Sequence, residues 1–325
     1  MELLSILSYN LFSPTVMFFV LGVMAGLLKS DLKVPEALSS YLSIYMMMAI
    51  GFKGGVSIST AANINLELIS VVCAGITISF VQPFLSYSIL KHTTKIDSHT
   101  AATIAAQYGS ISIVTFVAAE TFLKTNGVPY AGYIVAILAL MEAPAIVSGL
   151  FIANRAIPAF DDEQEKGHMI KDIFLNGTIL LLLGSFVIGF CSGHDGWVKV
   201  EGFLGLPFQG MLCLFMLDMG LVVSKNSSHL KHFSLPLTLF CLYMPFIGAS
   251  IGLVTSYFIG LGVGSGTLFT VLCASASYIA VPAAMRVALP EAKISVYLPM
   301  SLAITFPFNV LVGVPLYYAL ACLVL

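Results

Sequence analysis

Two short polar stretches interrupt segments that are otherwise apolar, and their residue types are suited to binding a small ligand. Residues 106–115 read AQYGSISIVT, and residues 273–282 read CASASYIAVP. A shift of 165 residues aligns the two stretches so that serine falls on serine twice. The candidate substrate-binding residues in them are Gly109, Ser110, Ser112, Thr115, Ala274, Ser275, Ser277 and Tyr278.

A break inside a helix frees backbone N–H groups at the start of the half-helix that follows. Two such starts that point at each other would combine two positive dipole ends with several hydroxyl donors, an arrangement that favours an anion. For a single stretch, close packing of small residues is the favoured explanation. The repetition at matching depth favours a substrate site between the two breaks.

The composition indicates which solvent surrounds these stretches. Hydrophobic residues make up 58% of the 325 positions and charged residues 9%, whereas soluble domains are about 25% charged. The sequence therefore predicts an all-α integral membrane protein. A net charge of −2 argues against a nucleic-acid partner. The six cysteines have no CxxC spacing and predict small core residues rather than a metal or redox centre.

Apolar runs of membrane length predict about ten transmembrane helices, since a span needs about 20 residues. They lie near 12–28, 35–56, 66–90, 99–123, 128–154, 170–191, 202–223, 234–260, 264–287 and 292–323. A polar loop divides the chain into a first five-helix repeat at 1–157, a cytoplasmic linker at 158–169 and a second five-helix repeat at 170–325. Five is an odd number, so a duplicated half enters the membrane from the opposite side. The prediction is two inverted repeats whose discontinuous helices cross at the midplane, as in secondary transporters.

Basic residues predict the orientation by the positive-inside rule. With the N-terminus outside, three basic residues fall outside, namely Lys53, Lys124 and Lys199. The inner loops then hold Lys29, Lys33, Lys91, Lys95, Arg155, Lys166, Lys171, Lys225, Lys231, Arg286 and Lys293. Both termini are therefore expected outside, in a multi-pass protein of the cell (inner) membrane.

Charged residues inside apolar segments need a reason, because each costs about 2.5–3.5 kcal/mol at mid-membrane. The charged candidates for cation coupling are Glu142 and Asp218. Gly51 is a third candidate, because it aligns with Gly220, which lies beside Asp218. Glu142 is read as a cation or proton site, with a structural, hydrogen-bonded acid as the alternative.

Three further charged residues lie near the ends of spans. Glu120 and Lys124 are spaced as an exposed ion pair on one helix. Lys53 either anchors its helix or attracts anions. No nucleophile, base and acid lie at a common depth, so an enzyme is not expected, and no metal site is expected beyond a possible sodium site.

Several motifs together resemble the sodium-dependent bicarbonate transporter family known from cyanobacteria. They are SPTVMFFVLGVMAGLL at 13–28, VPEAL at 34–38, IGFKGGVSI at 50–58, MEAPAIV at 141–147 and ASYIAVPAAMRVALP at 276–290. The resemblance covers nearly the whole chain in order. It implies ten spans in two inverted repeats, a homotrimer, a bicarbonate site between the broken helices, and Na+ as the coupling ion.

The chain departs from that family at the second broken helix. The family has a serine triplet followed by aspartate there, and this chain has Ser275-Ala276-Ser277-Tyr278. Glu142 stands where the family has aspartate. The expected function is secondary active transport of a small anion, bicarbonate first, coupled to sodium. The alternatives are a proton-coupled carrier of another small anion and a transport-inactive membrane binding or sensor protein of the same fold.

Overall fold

The computed structural model describes residues 12–60, 66–156, 177–230 and 233–325, so the predicted linker at 158–169 lies outside the described residues. These segments are helical and contain no β-strand. In chain order the helices are α1 (Pro14–Leu27), α2 (Glu36–Ser59), α3 (Leu66–Thr93), α4 (Ser98–Gly109), α5 (Ile113–Thr125), α6 (Ile134–Ala156), α7 (Gly177–Leu204), α8 (Phe208–Leu230), α9 (Leu235–Ile259), α10 (Val263–Ala274), α11 (Ala280–Ala288) and α12 (Ile294–Val324). The last includes π-helical turns at Met300–Thr305 and Asn309–Gly313.

Eight helices of the described segments are long and apolar enough to cross a bilayer, when α4 and α5 are taken together. The predicted spans 12–28 and 264–287 correspond instead to shorter helices, α1 in the first case and α10 with α11 in the second. The prediction of an all-α protein with many membrane-length helices is confirmed.

Helix α7 differs from the single span predicted at 170–191, because it folds back at Gly193. That glycine has φ +57°, a conformation that costs side-chain-bearing residues energy. A Cβ added at Gly189 would lie 2.1 Å from the carbonyl oxygen of Phe52. The Trp197 ring also lies against Phe52, with ring centroids 6.4 Å apart. Since residues before and after Gly193 contact the same residue of α2, Phe52, the segment after Gly193 returns along α2. Helix α8 therefore begins later than the predicted 202.

Two helix pairs cross at very short range through glycines. A Cβ added at Gly51 in α2 would lie 2.5 Å from the carbonyl oxygen of Leu182 in α7. A Cβ added at Gly220 in α8 would lie 2.2 Å from the carbonyl oxygen of Phe19 in α1. Lipid gives helices no hydrophobic reason to associate, so such close backbone contacts supply the packing energy.

The broken helix formed by α4 and α5 lies in the interior. Its apolar stretch of membrane-spanning length is 100% buried, compared with 72% for that of α6, the next most buried span. Helices α3 and α6 pack against α4, while α9 and α12 pack against α10. The irregular backbone between α4 and α5 is thereby shielded from lipid, which could not satisfy its polar groups.

Candidate functional site

The two helix breaks meet, because each donates a backbone hydrogen bond to the other. The N–H of Ser112 donates to Oγ of Ser275 over 2.9 Å. The N–H of Ser277 donates to the carbonyl oxygen of Gln107 over 2.9 Å. Ser110 and Ser275 follow the ends of α4 and α10 and are both extended, with ψ of −178° and 168°. The sequence alignment of the two serine stretches therefore matches two breaks in direct contact.

A serine also accepts a hydrogen bond from the first turn of each following half-helix, Ser112 as the N-cap of α5 and Ser277 from three residues before α11. Oγ of Ser112 accepts from the N–H of Thr115 over 3.2 Å, and the Thr115 hydroxyl donates to the same Oγ over 2.8 Å. Oγ of Ser277 accepts from the N–H of Val281 over 3.3 Å. Such side-chain acceptors stabilise a helix start and compete with continuation of the preceding helix, which explains why the helices break at these serines.

Glu142 of α6 joins both breaks. The hydroxyls of Ser110 and Ser277 each lie 3.4 Å from its Oε1 as donors. The other oxygen, Oε2, is buried and has no hydrogen-bond partner among the residues that the structure describes. The structure therefore brings the predicted cation candidate to the predicted substrate-binding serines. A carboxyl in this environment is costly to keep ionised unless a cation or a proton compensates it.

A small cavity separates the two half-helix starts. Ser112, Ile113, Glu142, Ser277, Tyr278 and Ile279 line it, together with their neighbours. It offers about 10 Å³ to the centre of a water molecule, which is about the least that one water requires. The site is closed, and a larger ligand needs its walls to move.

Tyr278 forms one wall of this cavity. Its ring packs edge-on against Phe306 of α12, with centroids 5.2 Å apart. Its buried hydroxyl approaches Ser112 without a well-formed hydrogen bond. The Tyr278 side chain therefore fills space at the site, and its hydroxyl has no well-formed hydrogen bond.

A wider cleft leads to the second break. It lies between the first halves of α2 and α7, is lined by residues that include Ser40, Ser43 and Ser185, and ends at Ile279. It offers about 830 Å³ to water. Among the described residues the cleft therefore extends from the first halves of α2 and α7 to Ile279 in the second break.

Two amide side chains that the sequence analysis missed hold the ends of α4 and α10. Nε2 of Gln82 in α3 donates to the carbonyl oxygens of Tyr108 over 2.5 Å and Cys273 over 2.9 Å. Nδ2 of Asn309 in α12 donates to the carbonyl oxygen of Ala274 over 2.9 Å. Carbonyls at helix ends lack intrahelical partners, so these amides satisfy them inside the protein. The sequence does contain one signal for these two residues, because each is an amide within an apolar segment. Gln82 also directly precedes Pro83.

Three of the predicted site residues have other surroundings. Gly109 ends α4 where an added Cβ would lie 2.2 Å from Pro83 Cγ, so its role is close packing. Asp218 of α8 accepts from the hydroxyl of Ser39 over 2.5 Å, and Gly51 lies at the crossing of α2 and α7. The structure does not bring Asp218 or Gly51 into the cluster around Glu142.

The prediction that Glu120 and Lys124 form an exposed ion pair is wrong in one respect. The ion pair exists, at 2.9 Å, but the Glu120 side chain is only 7% exposed. Lys53 of α2 pairs with the same oxygen at 2.6 Å, and the Tyr130 hydroxyl donates to it over 2.5 Å. The local spacing identified one partner and missed the two that come from other segments.

One comparison with known proteins bears on this arrangement. The sequence profile of the Na+-dependent bicarbonate transporter superfamily matches residues 14–322, nearly the whole chain. No curated protein has a significant match to the chain. The family profile and the membrane-length helices agree on a multi-pass membrane protein, and the chain belongs to the Na+-dependent bicarbonate transporter superfamily.

Proposed function

We propose that the protein is a secondary active transporter of a small anion, with bicarbonate as the first candidate. The observation that carries the proposal is the shared cavity at the starts of α5 and α11, lined by Ser112 and Ser277. Helix starts present N–H groups and a partial positive charge, which favour an anion. The superfamily's name for its substrate is consistent with that chemistry.

We also propose ten spans in two inverted repeats, which would place the site between the halves. The two glycine crossings support this symmetry. Gly51 aligns with Gly220, and Leu182 and Phe19, whose carbonyl oxygens these glycines meet, are 163 residues apart. A contact of α2 with α7 is thus repeated as a contact of α8 with α1. The positive-inside count supports both termini outside, and the family resemblance supports a homotrimer.

The first candidate for the coupling ion is Na+, carried with the anion and held by Glu142 with the nearby hydroxyls. Carboxylate and hydroxyl oxygens are the ligands that such a hard cation prefers. The family's name supports this choice, although Tyr278 stands where the resembled family has a second acid.

Proton coupling is the second candidate, and one observation favours it. Both hydroxyl contacts go to Oε1 of Glu142, and Oε2 has no partner. A proton fits on that free oxygen, whereas the cavity of about 10 Å³ has no room for a cation with its own water. A buried carboxyl without a cation is expected to be neutral.

The test is uptake of labelled bicarbonate by purified protein in liposomes, with the sodium gradient and the pH gradient imposed separately. We expect saturable uptake that follows one of the two gradients, and loss of that dependence in Glu142→Gln. Ser250→Ala is the matched control, because its hydroxyl bonds only within exposed turns of α9. Uptake indifferent to sodium, pH and membrane potential would reject coupled transport, and binding without flux would favour the sensor alternative.

A further inference from the structure

Three donors converge on one buried carboxylate oxygen at the far end of α5. Oε1 of Glu120 accepts from Lys53 Nζ at 2.6 Å, Lys124 Nζ at 2.9 Å and the Tyr130 hydroxyl at 2.5 Å. Two ammonium groups against one carboxylate leave a net charge of +1. The Glu120 side chain is 7% exposed, whereas that of Lys53 is 38% exposed. The excess positive charge therefore lies on the accessible side of the cluster.

A cavity adjoins this cluster and separates it from the folded-back part of α7. Its lining includes Lys53, Glu120, Phe116, Val117 and Trp197. It offers about 90 Å³ to water centres, room for several waters, since each needs about 10–15 Å³ by that measure. An anion of four or five heavy atoms fits in that space beside the Lys53 ammonium.

The cavity is one helical turn away from the helix breaks. Phe116 and Val117 line it, while Ser112 and Ile113 line the small central cavity. Residues four apart on a helix are separated by about 6 Å along its axis. Lys53 lies on α2, which packs against α7, and Glu120 lies on α5, so their ion pair joins α2 to the half-helix that follows the first break.

We propose that Lys53 and Glu120 form an access site for the small anion, in which Lys53 exchanges its contact with Glu120 for a contact with the anion. This inference rests on the proposed function and identifies where the same substrate first binds. Glu120 keeps Lys124 and Tyr130 when Lys53 leaves, so its buried charge stays compensated. Lys53 also keeps an anionic partner throughout the exchange, because the anion takes the place of Glu120 beside an ammonium whose side chain is 38% exposed.

Trp197 gives a direct measurement of anion access, because it is the single tryptophan of the chain and lines the cavity. In purified protein in detergent, iodide should quench Trp197 fluorescence, and bicarbonate should reduce that quenching. Lys53→Gln should lower the iodide Stern–Volmer constant about two- to fivefold, the effect of one partly screened charge. Acrylamide, a neutral quencher, should act equally on both proteins.

Three variants make the measurement decisive. Glu120→Gln should raise the iodide Stern–Volmer constant, because it frees Lys53 from its carboxylate partner. Lys53→Arg keeps the positive charge and should leave that constant at the wild-type value. Lys199→Gln is the matched control, since Lys199 is an exposed charge on the same helix as Trp197 but does not line the cavity. Equal effects of Lys53→Gln and Lys199→Gln, or changes of the same sign in Lys53→Gln and Glu120→Gln, would overturn the proposal.

The quenching test requires no transport, so it fails independently of the proposed function. If Lys53 controls iodide access but bicarbonate does not compete, the access site stands and bicarbonate is the wrong substrate. If flux is saturable but Lys53→Gln does not change iodide quenching of Trp197, the proposed transport function is supported and the access site is wrong. In flux assays the access site predicts that Lys53→Gln raises the half-saturating anion concentration with little change in maximal rate.

Discussion

The N–H of Ser112 donates to the hydroxyl oxygen of Ser275 over 2.9 Å, although 163 residues separate them in the chain. This bond joins the break after α4 to the break after α10, and the return bond from Ser277 to Gln107 closes the junction. Neither break can move alone without leaving a buried N–H group unpaired. We therefore expect substrate binding to move both breaks together.

Ser275→Ala removes the acceptor for the Ser112 N–H. An unpaired buried group costs about 1–3 kcal/mol, although bonds inside membrane proteins average nearer 0.6 kcal/mol. We expect a lower melting temperature and weaker anion binding, and Ser275→Thr should restore both in part. Thermal unfolding with and without bicarbonate measures the two effects. If Ser275→Ala behaves like the exposed control Ser250→Ala, the junction does not stabilise the site.

Gln82→Met keeps the approximate shape of the side chain and removes the amide that holds the ends of α4 and α10. The carbonyl groups of Tyr108 and Cys273 then lose a donor, at a cost of about 1–3 kcal/mol for each group left unpaired. We expect a clear loss of thermal stability and a higher half-saturating anion concentration. Gln209→Met is the control, because Gln209 is an exposed residue whose amide donates a single side-chain hydrogen bond, to Thr15 over 3.2 Å. Equal melting temperatures in the two variants would contradict the bridging role.

Tyr278→Phe should leave transport largely unchanged, because the Tyr278 hydroxyl has no well-formed hydrogen bond to lose. Tyr278→Asp adds a carboxylate beside Glu142 and frees volume for an ion, although it loses the ring contact with Phe306. Without a cation the new acid should take up a proton, so sodium should stabilise this variant.

Melting temperature measured against NaCl, with KCl as the control salt, tests this pair of variants. The expected result is a sodium dependence that is created or strengthened in Tyr278→Asp and unchanged in Tyr278→Phe. Strong sodium dependence in the wild type that Tyr278→Asp abolishes would contradict a gained cation ligand at position 278, and Glu142 would be the first residue to test as the cation's ligand.

Asp97 caps α4 outside the membrane-spanning segments. Burial alone raises its pKa. The hydrogen bonds from the Thr100 N–H at 2.8 Å and hydroxyl at 3.0 Å, with Lys293 at 3.2 Å, outweigh burial and hold the pKa below its ordinary value. A lowered folded-state pKa contributes stability that is present above the unfolded pKa, about 3.9, and is lost as the pH falls through the folded pKa.

Asp97→Asn should therefore flatten the loss of stability on acidification from about pH 5 to about pH 3. Asparagine caps a helix nearly as well as aspartate, so the helix start is retained. Melting temperatures across this range, compared with Asp31→Asn in an exposed loop, measure the difference. Identical pH profiles for wild type and Asp97→Asn would show that Asp97 contributes nothing to acid sensitivity.

The sequence predicted the parts of the site that have a local signal. Serines that cap a helix start and break an apolar run can be read from a single segment, and a duplicated pattern paired Ser112 with Ser277. Glu142 was predicted because an acid in an apolar helix is costly. These residues lie together in the structure, although their binding roles stay predictions.

The remaining features depend on long-range packing that no local pattern contains. The fold-back of α7 requires a positive φ at Gly193, and many glycines in the chain serve close packing instead. Lys53 and Glu120 are 67 residues apart, so the spacing on one helix indicated only Lys124. Gln82 is recognisable as important only once the two carbonyl groups it bridges are brought together.

The most direct test of the central claim is a cryo-EM comparison of the transport-active protein in saturating bicarbonate and in bicarbonate-free buffer. A ligand held by the two half-helix starts predicts difference density between the hydroxyls of Ser112 and Ser277, beside Glu142, with the central cavity enlarged. Unchanged density at that position, with ligand density elsewhere in a protein shown to transport, would contradict the assignment of the site.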